Sequence, residues 1–185
     1  MSDTVGTKDQ FTLITPENYH DIFINYKTNE VRHITLHWTV GLPDQLWTPY
    51  HACITGDGGI YLNKESYTWM GYFQKLSHTW MENTANFGIA LCGMYGASMP
   101  PENYVPKDLY TFPECYGKYA PTKAQMDSMA WFSAKLLRHY NLPITALMTH
   151  ADWAKEDKYY PDRWEFVFEK PLIVAEVERI KESFG

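Results

Sequence analysis

Cysteine is scarce in this sequence, and its spacing excludes several classes of protein. The 185 residues contain three cysteines, Cys53, Cys92 and Cys115, and no two of them have the CxxC spacing of thiolate zinc fingers and redox motifs. An odd number of scattered cysteines also argues against a disulfide framework. We therefore expect three thiols, with Cys53 and Cys92 buried in apolar strands.

An excess of positive charge and a long apolar run are also absent. Lys and Arg number 16 against 22 Asp and Glu, which gives a formal net charge of -6. This balance disfavours nucleic acid and anionic membranes as partners. No run approaches the about 18 apolar residues that a membrane span needs. The first 13 residues lack the basic and apolar segments of a secretory signal, so we expect synthesis in the cytoplasm.

The composition that is present is that of a folded domain, with 45% hydrophobic and 21% charged residues. Apolar residues in alternation or in short runs predict strands at 32–38, 51–63, 86–95 and 144–149. Inside the second of these segments, the turn Asp57-Gly58-Gly59 predicts a hairpin of two strands.

Helices are predicted between and after these strands. Thr122 and Gln125 have the spacing of a capping box, and the helix that they begin ends before Pro143. A short helix is expected to begin at Pro16, with Thr15 as its N-cap, and a last helix begins near residue 171. This order predicts the α/β class: a single domain with a central mixed β-sheet flanked by helices.

Two of the predicted strands end in a histidine, His37 in ITLHWT and His150 in LMTHADW. A catalytic zinc site commonly takes three ligands from His, Asp, Glu or Cys and leaves a fourth position for water. Asp162, in the loop after His150, would complete such a set. By spacing alone this pattern is weak, because a histidine at a strand end more often makes a structural hydrogen bond, and the HExxH motif is absent.

The order of several motifs resembles a known family. ITLHWT, YHACITGDGGIY, NFGIALCG, TKAQMDSMAWFSAKLLRHYNLP, MTHADWA and DRWEF follow one another as in the zinc-dependent N-acetylmuramoyl-L-alanine amidases. Phage endolysins, bacterial cell-wall amidases and peptidoglycan recognition proteins share this family and its fold. The resemblance runs from about residue 30 to 168. It implies an N-terminal extension at residues 1–30 and an amidase catalytic domain at residues 31–185.

The resemblance implies roles for individual residues. His37 and His150 match two zinc ligands of the family. Asp162 is the best match to the third ligand, a carboxylate or a cysteine in the family, with Asp157 and Asp152 as alternatives in the same loop.

The expected catalytic residues are less uniform. Tyr50 matches a tyrosine that lies beside the metal and orients or deprotonates the attacking water. Some members have a catalytic glutamate where this chain has Ala90, which shifts that work toward Tyr50. The family often has a Lys or Thr as oxyanion donor two residues before the third ligand. That position is Tyr160 here, with Lys158 two residues further back, and either could donate.

The implied function is that of a zinc-dependent peptidoglycan hydrolase. It would cleave the amide bond between N-acetylmuramic acid and the L-alanine of the stem peptide, as a monomer acting on the cell wall after release or export. A phage endolysin is favoured because no secretory signal is recognised. The alternatives are a bacterial cell-wall amidase or antibacterial effector with the same chemistry, and a non-catalytic module that binds peptidoglycan.

Overall fold

Six strands form one sheet in the computed structural model, which describes residues 4–159 and 163–184. The strands are β1 (Phe11–Ile14), β2 (His33–Trp38), β3 (Ala52–Ile54), β4 (Ile60–Asn63), β5 (Asn86–Leu91) and β6 (Leu147–Thr149). The helices are α1 (Tyr19–Phe23), α2 (Lys123–His139), α3 (His150–Glu156) and α4 (Lys170–Ser183). Among the described residues, none of these helices has the length and hydrophobicity needed to cross a bilayer.

The sheet is mixed, as predicted, with the strand order β1-β4-β3-β5-β2-β6. β3, β5, β2 and β6 are mutually parallel neighbours, whereas β4 pairs antiparallel with both β1 and β3. The hairpin between β3 and β4 is confirmed. Its turn is held by Thr55, whose hydroxyl donates to Asp57 Oδ1 at 2.6 Å, and by Gly58, whose φ of +87° suits glycine.

The two faces of β2 have different environments because successive side chains of a strand point to opposite sides. Ile34 and Leu36 are fully buried and belong to the main core, which also contains the inner face of α2. Thr35 and His37 alternate with them and are fully buried as well. The sheet therefore places a histidine in a closed environment on the face opposite α2.

The capping box at the start of α2 is confirmed and also ties the helix to the sheet. Thr122 Oγ1 accepts from the Gln125 backbone N–H at 3.1 Å, and Gln125 Oε1 accepts from the Thr122 N–H at 3.1 Å. The buried amide of Gln125 donates in addition to the carbonyls of Ile54 and Cys92, at 2.9 and 2.8 Å. These bonds fix α2 against the ends of β3 and β5.

The N-terminal region differs from the sequence prediction in detail. The first helix begins at Tyr19 and not at Pro16. Thr15 and Asn18 instead close a turn, in which the Thr15 N–H donates to Asn18 Oδ1 at 2.8 Å. β1 was not predicted, and its pairing with β4 makes it the edge of the central sheet. The domain boundary after residue 30 stays a prediction.

The last strand and the three cysteines can also be compared with the sequence predictions. The predicted strand at 144–149 is shorter in the structure, because Ile144–Ala146 form a 3-10 turn before β6. Cys53 and Cys92 are buried free thiols, as expected, and Cys115 is a half-buried free thiol.

Gly88 in β5 provides the space for a histidine ring that lies over the sheet. A Cβ built on Gly88 would lie 2.6 Å from Cγ of His78, closer than non-bonded carbon atoms approach. We expect Gly88→Ala to lower the free energy of unfolding by about 1–3 kcal/mol, because the overpacked ring or strand must shift. Urea denaturation measures the effect. In a His78→Ala background the same substitution should cost much less, and an equal cost in both backgrounds would contradict this account.

Candidate metal centre

The parallel pairing of β2 with β6 brings two histidines together. Leu36 of β2 is in register with Thr149 of β6, so the next residues along both strands, His37 and His150, are neighbours. Their ring centroids are 4.8 Å apart. Thr149 also caps α3, since its hydroxyl accepts from the Asp152 N–H at 3.1 Å, and this fixes where His150 leaves the strand.

A buried glutamate completes the cluster. Among the described residues, His37, His150 and Glu165 each present one ligand atom, and these three atoms lie within 4.8 Å of one another. Glu165 Oε2 is 3.0 Å from His150 Nδ1, but Oε2 makes no hydrogen bond within the described part of the chain. The two atoms are therefore close, but their contact lacks the geometry of a hydrogen bond. Arg163 lies 3.7 Å from the other carboxylate oxygen.

Each histidine has one ring nitrogen bonded away from the cluster. His37 Nε2 is 3.0 Å from Nδ1 of His78, and His150 Nε2 is 3.1 Å from the Tyr159 hydroxyl. His37 Nδ1 is buried and has no hydrogen-bond partner among the described residues. A buried polar atom without a partner is costly unless a ligand satisfies it. Two imidazoles and a carboxylate are a donor set that suits zinc, so these residues fit a zinc ion.

Burial lowers the pKa of three histidines in this region, His37, His51 and His78. Desolvation, followed by the repulsion of nearby His150 and His78, lowers the pKa of His37 well below its usual value. Desolvation lowers the pKa of His78 to about 4 and that of His51 well below its usual value. Neutral imidazole is the form that binds metal, so His37 is in its ligating state without first losing a proton at neutral pH.

His51 is a structural residue next to this cluster. Its Nδ1 accepts from the Gly88 N–H at 3.0 Å, and its Nε2 lies 2.9 Å from the Gln74 carbonyl. These contacts make His51 a hydrogen-bonded core histidine.

His150 and Glu165 of the cluster line a cavity of about 220 Å³, and Tyr50 forms part of its wall. The Tyr50 ring centroid is 5.2 Å from that of His37. A second, more open groove of about 460 Å³ shares Ser77, His78, His150 and Arg163 with the first. The exposed side chains of Trp80 and Met81 line that groove. Together the two cavities form a trough that passes His78 and His150.

Two tryptophans that line this cavity lie in different environments. Trp38 is buried and packs against Tyr116, Trp164 and Phe166, although its edge reaches the cavity. Trp47 lines the same cavity and is half-buried.

Of the residues predicted as third ligand or oxyanion donor, the structure describes Asp152, Asp157 and Lys158. Asp162 and Tyr160 lie outside the described residues. Lys158 is exposed, in a left-handed turn with φ of +56° that follows α3. Asp152 is engaged elsewhere, since its carboxylate accepts from the Thr149 N–H and from Lys170, both at 2.7 Å. Asp157 is the C-cap of α3 and does not belong to the cluster found among the described residues.

Sequence reasoning missed three residues at the site: Glu165, His78 and Tyr159. Glu165 stands between aromatic residues in RWEF, and an acidic residue in an apolar segment is a signal for a buried, engaged carboxylate. His78 lies in a loop with no periodic pattern. Its position next to His37 follows only from the packing of that loop over β5.

The comparison with known families gives one match over most of the chain. The sequence profile of the Amidase_2 family, described as N-acetylmuramoyl-L-alanine amidase, matches residues 27–163. A search of curated proteins finds no match.

Solved structures with a similar fold include two from Clostridium intestinale URNW. The N-acetylmuramoyl-L-alanine amidase LysC has a TM-score of 0.50 and 22% identity, over 96% of this chain and 95% of that one. The endolysin amidase LysCS has a TM-score of 0.41 and 24% identity, over 68% of this chain and 72% of that one. The Drosophila peptidoglycan recognition protein SA has a TM-score of 0.44 and 15% identity, over 68% and 70%. The LysC likeness confirms the predicted fold.

The lowered pKa of His78 predicts that the metal-free protein loses stability in mild acid. Below the unfolded-state pKa of about 6.5, the unfolded chain binds a proton that the folded chain does not bind until its pKa of about 4. Stability therefore falls as the pH drops, and this residue alone should remove about 2 kcal/mol by about pH 5.

Urea unfolding with a chelator at pH 7 and pH 5 tests this dependence. His78→Asn removes the titrating ring and should make the loss between the two pH values smaller. An identical loss in both proteins would show that His78 is not the group responsible.

Proposed function

Because the chain belongs to the N-acetylmuramoyl-L-alanine amidase family, we propose that it is a zinc-dependent hydrolase of peptidoglycan. The bond cut is the amide between N-acetylmuramic acid and the L-alanine of the stem peptide. The observation that carries this proposal is the convergence of His37, His150 and Glu165, whose ligand atoms lie within 4.8 Å of one another beside a cavity that His150 and Glu165 line. His37 Nδ1 and Glu165 Oε2 are buried without a hydrogen-bond partner among the described residues, and a purely structural domain gives no reason for this.

Zinc would be held by His37 and His150, with a carboxylate as the third ligand. We assign that carboxylate to Glu165, because its Oε2 lies in the cluster without a hydrogen-bond partner among the described residues. Asp162 stays the candidate from the sequence. When bound, zinc supplies a Lewis acid that polarises the scissile carbonyl and makes water nucleophilic near neutral pH.

The chain's own residues bind and orient the substrate. We propose that the stem peptide and the adjoining sugar bind in the trough, whose two cavities meet at His78 and His150. Trp80 and Met81 offer exposed apolar surface to the substrate. Arg163 lines both cavities and offers a positive charge to polar groups of the substrate. Peptidoglycan is therefore the proposed ligand, with the protein acting as a monomer.

Tyr50 is a proposed catalytic residue whose ring lies beside that of His37. Its ring forms the cavity wall 5.2 Å from the His37 ring, and Ala90, the position of a glutamate in some family members, is in register with His37 on β5. Alanine cannot act as a base, so the hydroxyl of Tyr50 is proposed to orient water or to stabilise the developing oxyanion. Lys158 and Tyr160 are proposed as further oxyanion donors.

Product analysis on purified sacculi tests the function. The proposal predicts released peptides with a free L-alanine amino terminus and glycan strands with intact N-acetylmuramic acid. Cleavage of the glycan or within the stem peptide would contradict the assigned bond. Binding to sacculi without release of peptides would instead favour the non-catalytic module. Endolysin and cell-wall amidase share this chemistry, so the endolysin origin stays a separate prediction.

The ligand assignment predicts that Glu165→Gln loses zinc. Replacing the charged oxygen by an amide removes an anionic ligand with almost no change in volume, so the fold should persist while zinc affinity falls at least about 10-fold. Asp157→Asn is the matched control, since Asp157 is a nearby carboxylate outside the cluster. Zinc content by mass spectrometry measures both. Loss of zinc in Asp162→Asn with retention in Glu165→Gln would return the third ligand to Asp162.

Tyr50→Phe separates metal binding from catalysis. The variant loses only the hydroxyl, so zinc content and thermal stability should stay near wild type. Loss of one such donor lowers turnover by about 10²–10³ in other enzymes, and we expect a loss of that size on sacculi. Turnover within a few-fold of wild type, with zinc bound, would make Tyr50 a wall residue and leave Lys158 or Tyr160 as the residue to test.

A further inference from the structure

His78 and His37 make a buried hydrogen bond whose direction can be derived from their neighbours. His78 Nε2 lies 2.9 Å from the backbone carbonyl of Asn86. A carbonyl oxygen only accepts, so Nε2 of His78 carries the hydrogen. In a neutral ring the other nitrogen, Nδ1, then has a lone pair and accepts.

The accepting Nδ1 of His78 faces Nε2 of His37 at 3.0 Å. If Nε2 of His37 had no hydrogen, two lone pairs would face each other at this distance. The remaining arrangement is that Nε2–H of His37 donates to His78. The hydroxyl of Thr79 lies 2.8 Å from Nδ1 of His78 and 3.2 Å from Nε2 of His37, and it can donate to the same acceptor.

This hydrogen bond also determines the protonation of Nδ1, the other nitrogen of the His37 ring. A neutral ring with hydrogen on Nε2 has its lone pair on Nδ1, which is the buried atom without a hydrogen-bond partner among the described residues. We propose that His78 is a positioning residue, which fixes the tautomer of His37 so that Nδ1 offers its lone pair to the metal. This inference rests on the metal centre of the proposed function.

The surrounding loop holds His78 in place for this role. The side-chain oxygen of Asn83 accepts from the backbone N–H groups of His78 and Thr79, at 2.8 and 2.7 Å. The ring lies against Gly88, where a side chain would collide with it. β5 carries both Asn86 and Gly88 and pairs directly with β2, so one strand sets the distance between His78 and His37.

A buried histidine can also serve only to fill space, and two substitutions of similar size distinguish the roles. In His78→Asn, the side-chain oxygen can take the position of Nδ1 and accept from His37. In His78→Gln, the amide extends toward the position of Nε2 and leaves no acceptor for His37. A space-filling role predicts similar effects of both, whereas the positioning role predicts that only the glutamine variant disturbs His37.

Zinc affinity and histidine tautomers are the two readouts. By isothermal titration calorimetry we expect His78→Asn to bind zinc within a few-fold of wild type. His78→Gln should bind it about 10–100-fold more weakly, which is the usual effect of losing a partner of a metal ligand. His139→Gln, on α2 and away from the cluster, is the control and should match wild type. In the metal-free wild type, ¹⁵N NMR of the imidazoles should show His37 with its hydrogen on Nε2.

Each outcome bears on one claim. Equal zinc affinity of both folded His78 variants, or His37 with its hydrogen on Nδ1 in the wild type, would overturn the positioning role. A wild type that binds no zinc would instead overturn the proposed metal centre. Should either variant fail to fold, the NMR result on the wild-type protein still decides the tautomer.

Discussion

The pairing of β2 with β6 is the constraint on which the site depends. These strands run parallel, with Leu36 in register with Thr149. Both strands therefore reach the same edge of the sheet, and the next residue in each case is a histidine, His37 or His150. Parallel strands place their carboxyl ends at one edge, where functional side chains commonly collect. The rest of the fold holds this pair: β5 flanks β2 on the other side, and the cap of α3 fixes the point at which the chain leaves β6.

Burial lowers the pKa of His37, and hydrogen bonds orient the rings of both His37 and His150. Each of the two candidate ligands has one nitrogen tied to a neighbour, His78 for His37 and Tyr159 for His150. The second nitrogen of each ring then remains for a metal ion, and a nitrogen of each ring lies within 4.8 Å of a carboxylate oxygen of Glu165. Hydrogen-bonded partners of this kind orient metal ligands in proteins generally, and they lower the cost of assembling the site when metal binds.

The sequence predicts the parts of the fold that depend on local patterns. The hairpin at Asp57-Gly58-Gly59 and the capping box at Thr122 are local signals, and both are confirmed. β1 was missed because it has only four residues, too few for a clear alternation of apolar residues, and it pairs with β4, about 50 residues away in the sequence. The start of α1 was misplaced because Thr15 and Asn18 bond to each other across a turn, and the helix begins only after this turn, at Tyr19.

In the candidate site as well, the sequence predicts the residues that depend on local patterns and misses those that depend on tertiary contacts. His37 and His150 follow apolar strands, so the sequence identifies them as strand-end histidines. The carboxylate could not be selected, because the loop after His150 contains several acidic residues and only its path decides which one reaches the histidines. That path brings Glu165 to His150 at 3.0 Å, whereas Asp162 lies outside the described residues. His78 depends on a contact between a loop and Gly88, which no sequence period encodes.

The central claim is that two strand-end histidines and one carboxylate form a metal centre. A crystal structure of the zinc-loaded protein, with anomalous data at the zinc edge, tests it most directly. The account predicts one peak bound by His37 Nδ1, His150 Nδ1 and a Glu165 oxygen, at distances of about 2.0–2.2 Å. Zinc bound at another place on the chain, or His37 coordinated through Nε2, would contradict it.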